Sequence, residues 1–176
     1  PIILDLDGDG FAFATTVSFD LDGDGARDQV AWNSSGDGIL AYDFDGNGVI
    51  DDGSELFTPW FGGGDFASGG AALASLDTNG DGLIDADDDA FANLSIWRDA
   101  DADGVTDAGE LTSLAANGIT SISAPATASS GSIDGQTVIG EGAFIRDDGS
   151  TGAYIEVALE TVFGSQNPST VTGTDG

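Results

Sequence analysis

A six-residue pattern, D-x-[DN]-x-[DN]-G, recurs along the chain and limits its possible folds more than any other feature. It reads DLDGDG at 5–10 and 20–25, DFDGNG at 43–48, DTNGDG at 77–82 and DADADG at 99–104. Ca²⁺ takes about six to eight oxygen ligands, and acids at loop positions 1, 3 and 5 can turn towards one ion. Glycine at position 6 permits the sharp turn, and the carbonyl of position 7 and an acid at position 12 complete the site. The repeat therefore predicts several calcium ions, about three to five.

The five loops differ in how they are closed. Loop five has Glu110 at position 12, loop four has Asp88 there, and loop three has Glu55 one residue later, at position 13. Position 12 of the first two loops carries no acid, so their closing ligands must come from elsewhere, with Asp28 at position 9 of loop two as one candidate. The predicted ligands are Asp5, Asp7, Asp9, Asp20, Asp22, Asp24, Asp28, Asp43, Asp45, Asn47, Val49 (carbonyl), Asp51, Glu55, Asp77, Asn79, Asp81, Leu83 (carbonyl), Asp88, Asp99, Asp101, Asp103, Val105 (carbonyl) and Glu110.

Other acids and aromatic residues have simpler interpretations. Asp37, in SSGDGIL, is interpreted as a turn residue, and Trp32, Trp60 and Trp97 as core residues. Paired carboxylates could also serve glycoside hydrolysis. Nearly every acid here already has a role as a metal ligand, so we set that interpretation aside.

Charge and composition exclude several classes of function. The chain has 3 Lys+Arg against 32 Asp+Glu and a formal net charge of -29, which excludes nucleic-acid binding and opposes attraction to anionic membranes. There is no His and no Cys, so Ser-His and Cys-His catalysis, disulfides and ordinary zinc sites are excluded. No apolar run approaches the ~18 residues of a membrane-spanning helix, so we expect no membrane insertion.

The hydrophobic pattern predicts an α+β fold, with paired EF-hand-like calcium loops and short helices packed against small antiparallel sheets. Helices are predicted over 67–76, at the start of the segment 86–97, and over 108–117. The last of these is expected to end at Gly118. Strands are predicted before residue 45 and within 119–163, with a hairpin turn at 147–152. We expect one module over 1–163, made of an acidic strand region (1–66), the loop pair (67–118) and a C-terminal β region (119–163). A flexible linker over 164–176 is expected to follow it.

The order and spacing of the motifs resemble a known family. PIILDLDGDG, FDLDGDGARDQVAW, DFDGNGVIDDGSELF, LDTNGDGLIDADDDAF and LSIWRDADADGVTDAGEL occur in the order found in the calcium-dependent self-processing module of RTX-type secreted bacterial proteins. The resemblance covers about residues 1–123. It implies secretion, or display on the cell surface, by a Gram-negative bacterium.

The resemblance also implies a reaction. In that family an Asp-Pro bond at the start of the module is cut, because the Asp carboxylate attacks its own carbonyl and forms a cyclic anhydride. Water or a Lys amine then opens the anhydride, and the Lys route gives an isopeptide bond. Pro1 corresponds to that proline, so the chain is expected to be the fragment after cleavage, with the nucleophilic Asp outside it.

Two alternatives stay open at this stage. One is a non-catalytic, calcium-stiffened structural module of a large secreted RTX adhesin or toxin. The other is a dockerin-like binding module, suggested by loops four and five alone. Since the chain lacks Lys, any isopeptide acceptor must be a Lys-bearing partner or flanking domain, and the module itself is expected to be a monomer.

Overall fold

Antiparallel strands build the portion of the chain that the structure, a computed structural model, describes: residues 1–13, 15–33, 36–159 and 161–162. The strands are β1 (Ile2–Leu4), β2 (Thr15–Phe19), β3 (Asp28–Trp32), β4 (Gly38–Tyr42), β5 (Leu83–Asp85), β6 (Leu94–Trp97), β7 (Leu111–Ser113), β8 (Ile119–Ser123), β9 (Thr127–Ile133), β10 (Gln136–Arg146), β11 (Thr151–Ala158) and β12 (Thr161–Val162). One α-helix is present among the described residues, α1 (Gly69–Ala74), with 3-10 turns at Gly53–Glu55, Phe61–Gly63, Phe91–Asn93 and Ala115–Asn117.

Nine of the strands form one sheet in the order β5-β8-β10-β11-β1-β4-β6-β7, with β9 paired to β10. The short strand β1 lies between β11 and β4, in register Ile2↔Glu156 on one side and Ile3↔Ile39 on the other. The first strand of the chain is therefore held by a late strand and an early strand, well away from the edges of the sheet. The remaining strands form a second sheet in the order β12-β3-β2.

The large sheet carries a hydrophobic core on each face. Ile2 and Leu4 point into one core, together with Leu73 of α1, whereas Ile3 points into the other core, together with Val30 of the small sheet. Alternation of side chains along a strand explains this division, and a strand that is apolar at every position belongs between two cores. The run Ile-Ile-Leu satisfies both faces at once, and all three residues are fully buried.

Aromatic rings fill the core beneath the small sheet. The ring centroids of Phe19, Trp32 and Trp97 lie 5.4 to 5.7 Å apart, within the range of favourable tilted and edge-on contacts. Trp32 and Trp97 are fully buried, as predicted, but Trp60 is 43% exposed and belongs to the surface.

The predicted α+β fold with EF-hand-like helices is wrong, because the described chain is mostly antiparallel sheet and the loops are flanked mainly by strands. Over 86–97 a 3-10 turn and β6 replace the predicted helix, and over 108–117 β7 and a 3-10 turn do so. β6 pairs with β4 and β7 pairs with β6, in register Trp97↔Leu111. Sheet pairing and burial outweigh weak helix propensity here. The paired-helix basis of a dockerin-like unit is therefore absent from the described residues.

Several local predictions are confirmed. Helix α1 lies within 67–76, where Ser68 Oγ accepts a hydrogen bond from Ala71 N at its start. Gly118 is left-handed, with φ of 71°, and Arg146 and Thr151 flank the hairpin turn between β10 and β11. The predicted linker at 164–176 lies outside the described residues. No helix within the described ranges is long and apolar enough to cross a membrane.

Candidate functional site

In each of the five repeats, acids of the loop come together in space and form a separate cluster. In each of five groups, one carboxylate oxygen from every member lies within 4.8 Å of those of the others. The groups are Asp5, Asp7, Asp9 and Asp37; Asp20, Asp22 and Asp24; Asp43, Asp45 and Glu55; Asp77, Asp81 and Asp88; and Asp99, Asp101, Asp103 and Glu110.

One backbone conformation recurs in the five loops. The first Asp of each loop accepts a hydrogen bond from the N–H of the sixth-position glycine at 2.7 to 3.0 Å. Position 4 has positive φ in every loop; it is glycine in four loops and Ala102, at 53°, in the fifth. A left-handed residue at that position costs an L-amino acid about 1–2 kcal/mol, which accounts for the preference for glycine. The repeat thus fixes a local fold as well as a composition.

Loops three, four and five share one closing arrangement. In each of them a buried acid accepts two main-chain hydrogen bonds, from the residues at loop positions 2 and 9. The donors are Phe44 and Asp51 to Glu55, Thr78 and Asp85 to Asp88, and Ala100 and Asp107 to Glu110. Glu55 therefore does at position 13 what Glu110 does at position 12.

Loop one is closed from outside its own segment. Asp37, which we interpreted as a turn residue, is fully buried, and its carboxylate belongs to the cluster of Asp5, Asp7 and Asp9. Asp37 is therefore a candidate ligand of loop one, a role that the interpretation as a simple turn residue did not include. No local pattern could identify it, because it lies about thirty residues along the chain and reaches the loop through the pairing of β1 with β4.

The carboxylate cluster of loop two contains only Asp20, Asp22 and Asp24, with no closing acid among the described residues. Asp28 lies outside its carboxylate cluster, although Asp24 and Asp20 contribute, after burial, to raising the pKa of Asp28. In loop three Asp51 also lies outside the cluster, and Asn47 donates a hydrogen bond to it at 3.0 Å. The assignment of ligands by atom, including Asn79 and the carbonyls of Val49, Leu83 and Val105, stays a prediction.

The loops are connected to the core and to one another. Trp32 Nε1 donates a hydrogen bond to Asp99 Oδ2 at 2.8 Å, so loop five is attached to the aromatic core. Ile50 N donates to Thr106 Oγ1, which joins loop three to loop five. Gly53 N donates to Asp20 O at 2.8 Å, and a Cβ on Gly53 would collide with the main chain of loop two. Loops two, three and five therefore form one connected unit.

Burial and neighbouring acids raise the pKa values of several carboxyl groups in the loops. Burial raises the pKa of Glu55 to about 7 and that of Asp99 to about 6. A side-chain hydrogen bond with Asp101, followed by burial, raises the pKa of Asp107 to about 6. Carboxylates that are desolvated and close to like charges resist ionisation unless a cation balances them.

The residues present fit Ca²⁺. The donors are hard oxygens in sets of three or four carboxylates, with neither His nor Cys to favour a softer metal. Asp43 Oδ1 is buried and has no hydrogen-bond partner among the described residues, as expected for an oxygen reserved for a ligand. A bound calcium ion would supply the positive charge that these carboxylates lack.

Acid should partly substitute for the metal. Glu55 has a pKa of about 7 in the fold against 4.5 as an ordinary carboxyl, so the folded state binds more protons between these values. In chelator, the free energy of unfolding should therefore fall as pH rises from about 5 to 7. The acids whose pKa values are lowered from 3.8, such as Asp88, change the free energy of unfolding only below that pH, outside this window. Near-ultraviolet circular dichroism in chelator measures the folded fraction at pH 5.5 and 7.5, and an equal or greater folded fraction at pH 7.5 would contradict the prediction.

The first residue of the chain lies at a cavity. Pro1 is buried, and its carbonyl accepts a hydrogen bond from Val157 N at 2.9 Å, beside the pairing of β1 with β11. A cavity of about 180 Å³ is lined by Pro1, Glu156, Trp60 and Ile139, among others. Burial lowers the pKa of the Pro1 amine to about 6, against the attraction of Glu156.

Comparison with known proteins identifies the family. The SPM domain model matches residues 2–160. The chain is also 41% identical over 169 residues to the iron-regulated protein FrpA of Neisseria meningitidis serogroup C. That alignment covers 90% of this chain but 15% of FrpA, so the chain spans a small fraction of the length of that relative. Because the family model matches nearly the whole length of this chain, the chain belongs to the SPM domain family.

Proposed function

We propose that this domain is a calcium-triggered self-processing module, which cuts an Asp-Pro bond immediately before Pro1. The observation that carries the proposal is the placement of Pro1. It immediately precedes β1, an inner strand of the large sheet, is buried, and lies at a cavity that Glu156 also lines.

The chemistry at Pro1 favours bond cleavage. In the reaction we propose, a carboxylate oxygen of the preceding Asp attacks its own main-chain carbonyl carbon, the bond to the Pro1 nitrogen breaks, and a cyclic anhydride forms. An adjacent carboxylate held in line has a high effective concentration. Burial lowers the pKa of the Pro1 amine to about 6, and a less basic amine is a better leaving group.

Loop one supplies the physical connection between ion binding and the reacting bond. Strand β1 runs from the residue after Pro1 directly into Asp5, and Asp37 leads directly into β4, the neighbour of β1. The pairing Leu4↔Gly38 lies next to both acids. Neutralising the repulsion between Asp5 and Asp37 would let β1 and β4 pair, and that pairing positions Pro1.

The anhydride has two fates in this proposal. Water adds to one carbonyl and leaves a C-terminal Asp on the upstream fragment. A Lys amine instead forms an isopeptide bond and releases the second carboxylate. The acceptor must be a Lys-bearing partner or flanking domain, because this chain contains no Lys and its arginines are always protonated.

The proposal fits a protein that acts after export. Extracellular calcium modules bind at about 10⁻⁴–10⁻³ M, far above the calcium level of a bacterial cytosol. The parent protein would then stay whole inside the cell and be cut at the surface of a Gram-negative bacterium or outside it. Membership of the SPM domain family and similarity to FrpA support an RTX-type secreted parent.

The test uses a precursor with a short peptide ending in Asp placed before Pro1. We expect calcium to give two fragments, measured by intact mass, and a Lys-bearing peptide to capture some of the upstream fragment. A precursor with Asn before Pro1 is the matched control and should stay whole. If the Asp precursor folds in calcium but is not cut, the domain is the non-catalytic structural module instead.

A further inference from the structure

Glu156 is a buried acid that the calcium loops do not use. It lies on β11 opposite Ile2, is 4% exposed, and lines the same cavity as Pro1. Its neighbours Ile155 and Val157 face the core under the small sheet, so alternation turns Glu156 to the other face of the large sheet. A buried carboxylate is costly to desolvate, which points to a specific partner or task.

The chain keeps space around this carboxyl group. A Cβ on Gly70 would lie 2.7 Å from Glu156 Oε1, and a Cβ on Gly69 would lie 3.3 Å from Oε2. Gly140, on the strand next to β11, approaches Oε1 in the same way at 3.4 Å. Gly70 of α1 therefore leaves space for the carboxyl group, whereas a Cβ on Gly69 would first meet the carbonyl oxygen of Phe57, at 1.9 Å.

Burial lowers the pKa of the Pro1 amine, and the carboxylate of Glu156 opposes this effect. The arginines are engaged elsewhere: Arg27 with Ser18 O, Arg98 with Gly36 O and Arg146 with Leu6 O. In the precursor the Pro1 nitrogen is an uncharged amide, so Glu156 would face it without a counter-charge.

We infer that Glu156 is the acid that protonates the Pro1 nitrogen as the preceding peptide bond breaks. The inference rests on the proposed self-processing. The Asp carboxylate forms the new C–O bond, the C–N bond to Pro1 breaks, and the nitrogen takes the proton of Glu156. The products are the anhydride, a neutral Pro1 amine and the Glu156 carboxylate, so the single negative charge passes from Asp to Glu156. A water molecule in the 180 Å³ cavity relays the proton across the space between the groups.

Glu156→Gln tests this role in the Asp-Pro precursor, because Gln keeps the shape of Glu but has no acidic proton. We expect cutting in calcium to slow by about 100-fold or more, with unchanged near-ultraviolet circular dichroism. Glu156→Asp should recover some of the rate, since it restores the acid one methylene shorter. The matched control is Glu141→Gln on β10, which removes one exposed carboxylate and should cut at the wild-type rate.

A second variant covers loss of fold. If Glu156→Gln lowers the melting temperature in calcium, the test uses Glu156→Ala with added formate instead. Formate is a small acid that can enter the space that the Glu156 side chain leaves. Cutting that rises with formate but not with chloride supports the inference, and cutting indifferent to formate overturns it. Equal rates for wild type and a folded Glu156→Gln also overturn it. A wild-type precursor that is not cut rejects self-processing itself, a result distinguishable from both.

Discussion

Removing calcium should convert this domain into a loose chain, and we expect near-complete loss of its near-ultraviolet circular dichroism in chelator. The chain has a net charge of -29, and its acids meet in groups within 4.8 Å. Two like charges at such distances repel by about 1 kcal/mol in water and more where water is excluded. Each bound ion cancels two charges. The first carboxylate of each loop cluster also accepts a main-chain hydrogen bond that shapes the loop, so we expect ion binding and folding to be coupled.

The size of this effect follows from linkage. A site filled at 100 times its dissociation constant contributes about 2.7 kcal/mol to stability. Three such sites supply about 8 kcal/mol, which is comparable with the entire stability of an ordinary domain, about 5–15 kcal/mol. Near-ultraviolet circular dichroism should report this loss directly, because Trp32 and Trp97 both donate hydrogen bonds to acids of the loop-five cluster, Asp99 and Glu110. Loss of the ion should therefore disturb the aromatic core directly.

The double variant Asp99→Asn/Glu110→Gln separates the loss of one site from general chelation. We expect its melting temperature in calcium to fall by about 4–8 degrees, the effect of about 2 kcal/mol in a domain of this size. Asp89→Asn is the matched control, since Asp89 is exposed and lies outside every cluster. Spectra and melting of the wild-type chain that do not change in chelator would refute the coupling of calcium to folding.

Asp37→Asn should weaken loop one and little else. Asn keeps the size of the side chain and an oxygen donor, but one of the four carboxylates in that cluster loses its charge. We expect one calcium site to weaken by about 10- to 100-fold in a calorimetric titration, at least the effect of losing a second-shell partner. Because Asp37 leads into β4, the calcium concentration for half-maximal cutting of the precursor should rise by a similar factor.

Calcium affinity and the calcium dependence of cutting together distinguish this prediction from its alternatives. Calcium binding at loop five should be unchanged, and the Asp89→Asn control should titrate as wild type. An Asp37→Asn variant with every site at wild-type affinity would remove Asp37 from the ligands of loop one. A variant with one weakened site but normal calcium dependence of cutting would keep Asp37 as a ligand. It would also separate loop one from the reacting bond.

The sequence alone determined the local structure of this protein. The spacing of acids and glycines in each repeat predicts a tight loop, because the hydrogen bonds from position 6 to position 1 join residues five apart. The same holds for Glu110, whose donors lie within its own loop. The hairpin around 147–152 and the end of a helical turn at Gly118 also follow from nearby residues.

Only the tertiary structure decided what depends on residues far apart. Leu111–Ser113 is a strand because β6 lies beside it, although its own sequence favours a helix as readily. Asp37 becomes a candidate ligand because β4 pairs with β1, and Glu156 meets Pro1 because β11 pairs with β1 across about 150 residues. A repeat records short-range geometry, whereas strand pairing is selected by burial of apolar surface from the whole chain, which no single segment specifies.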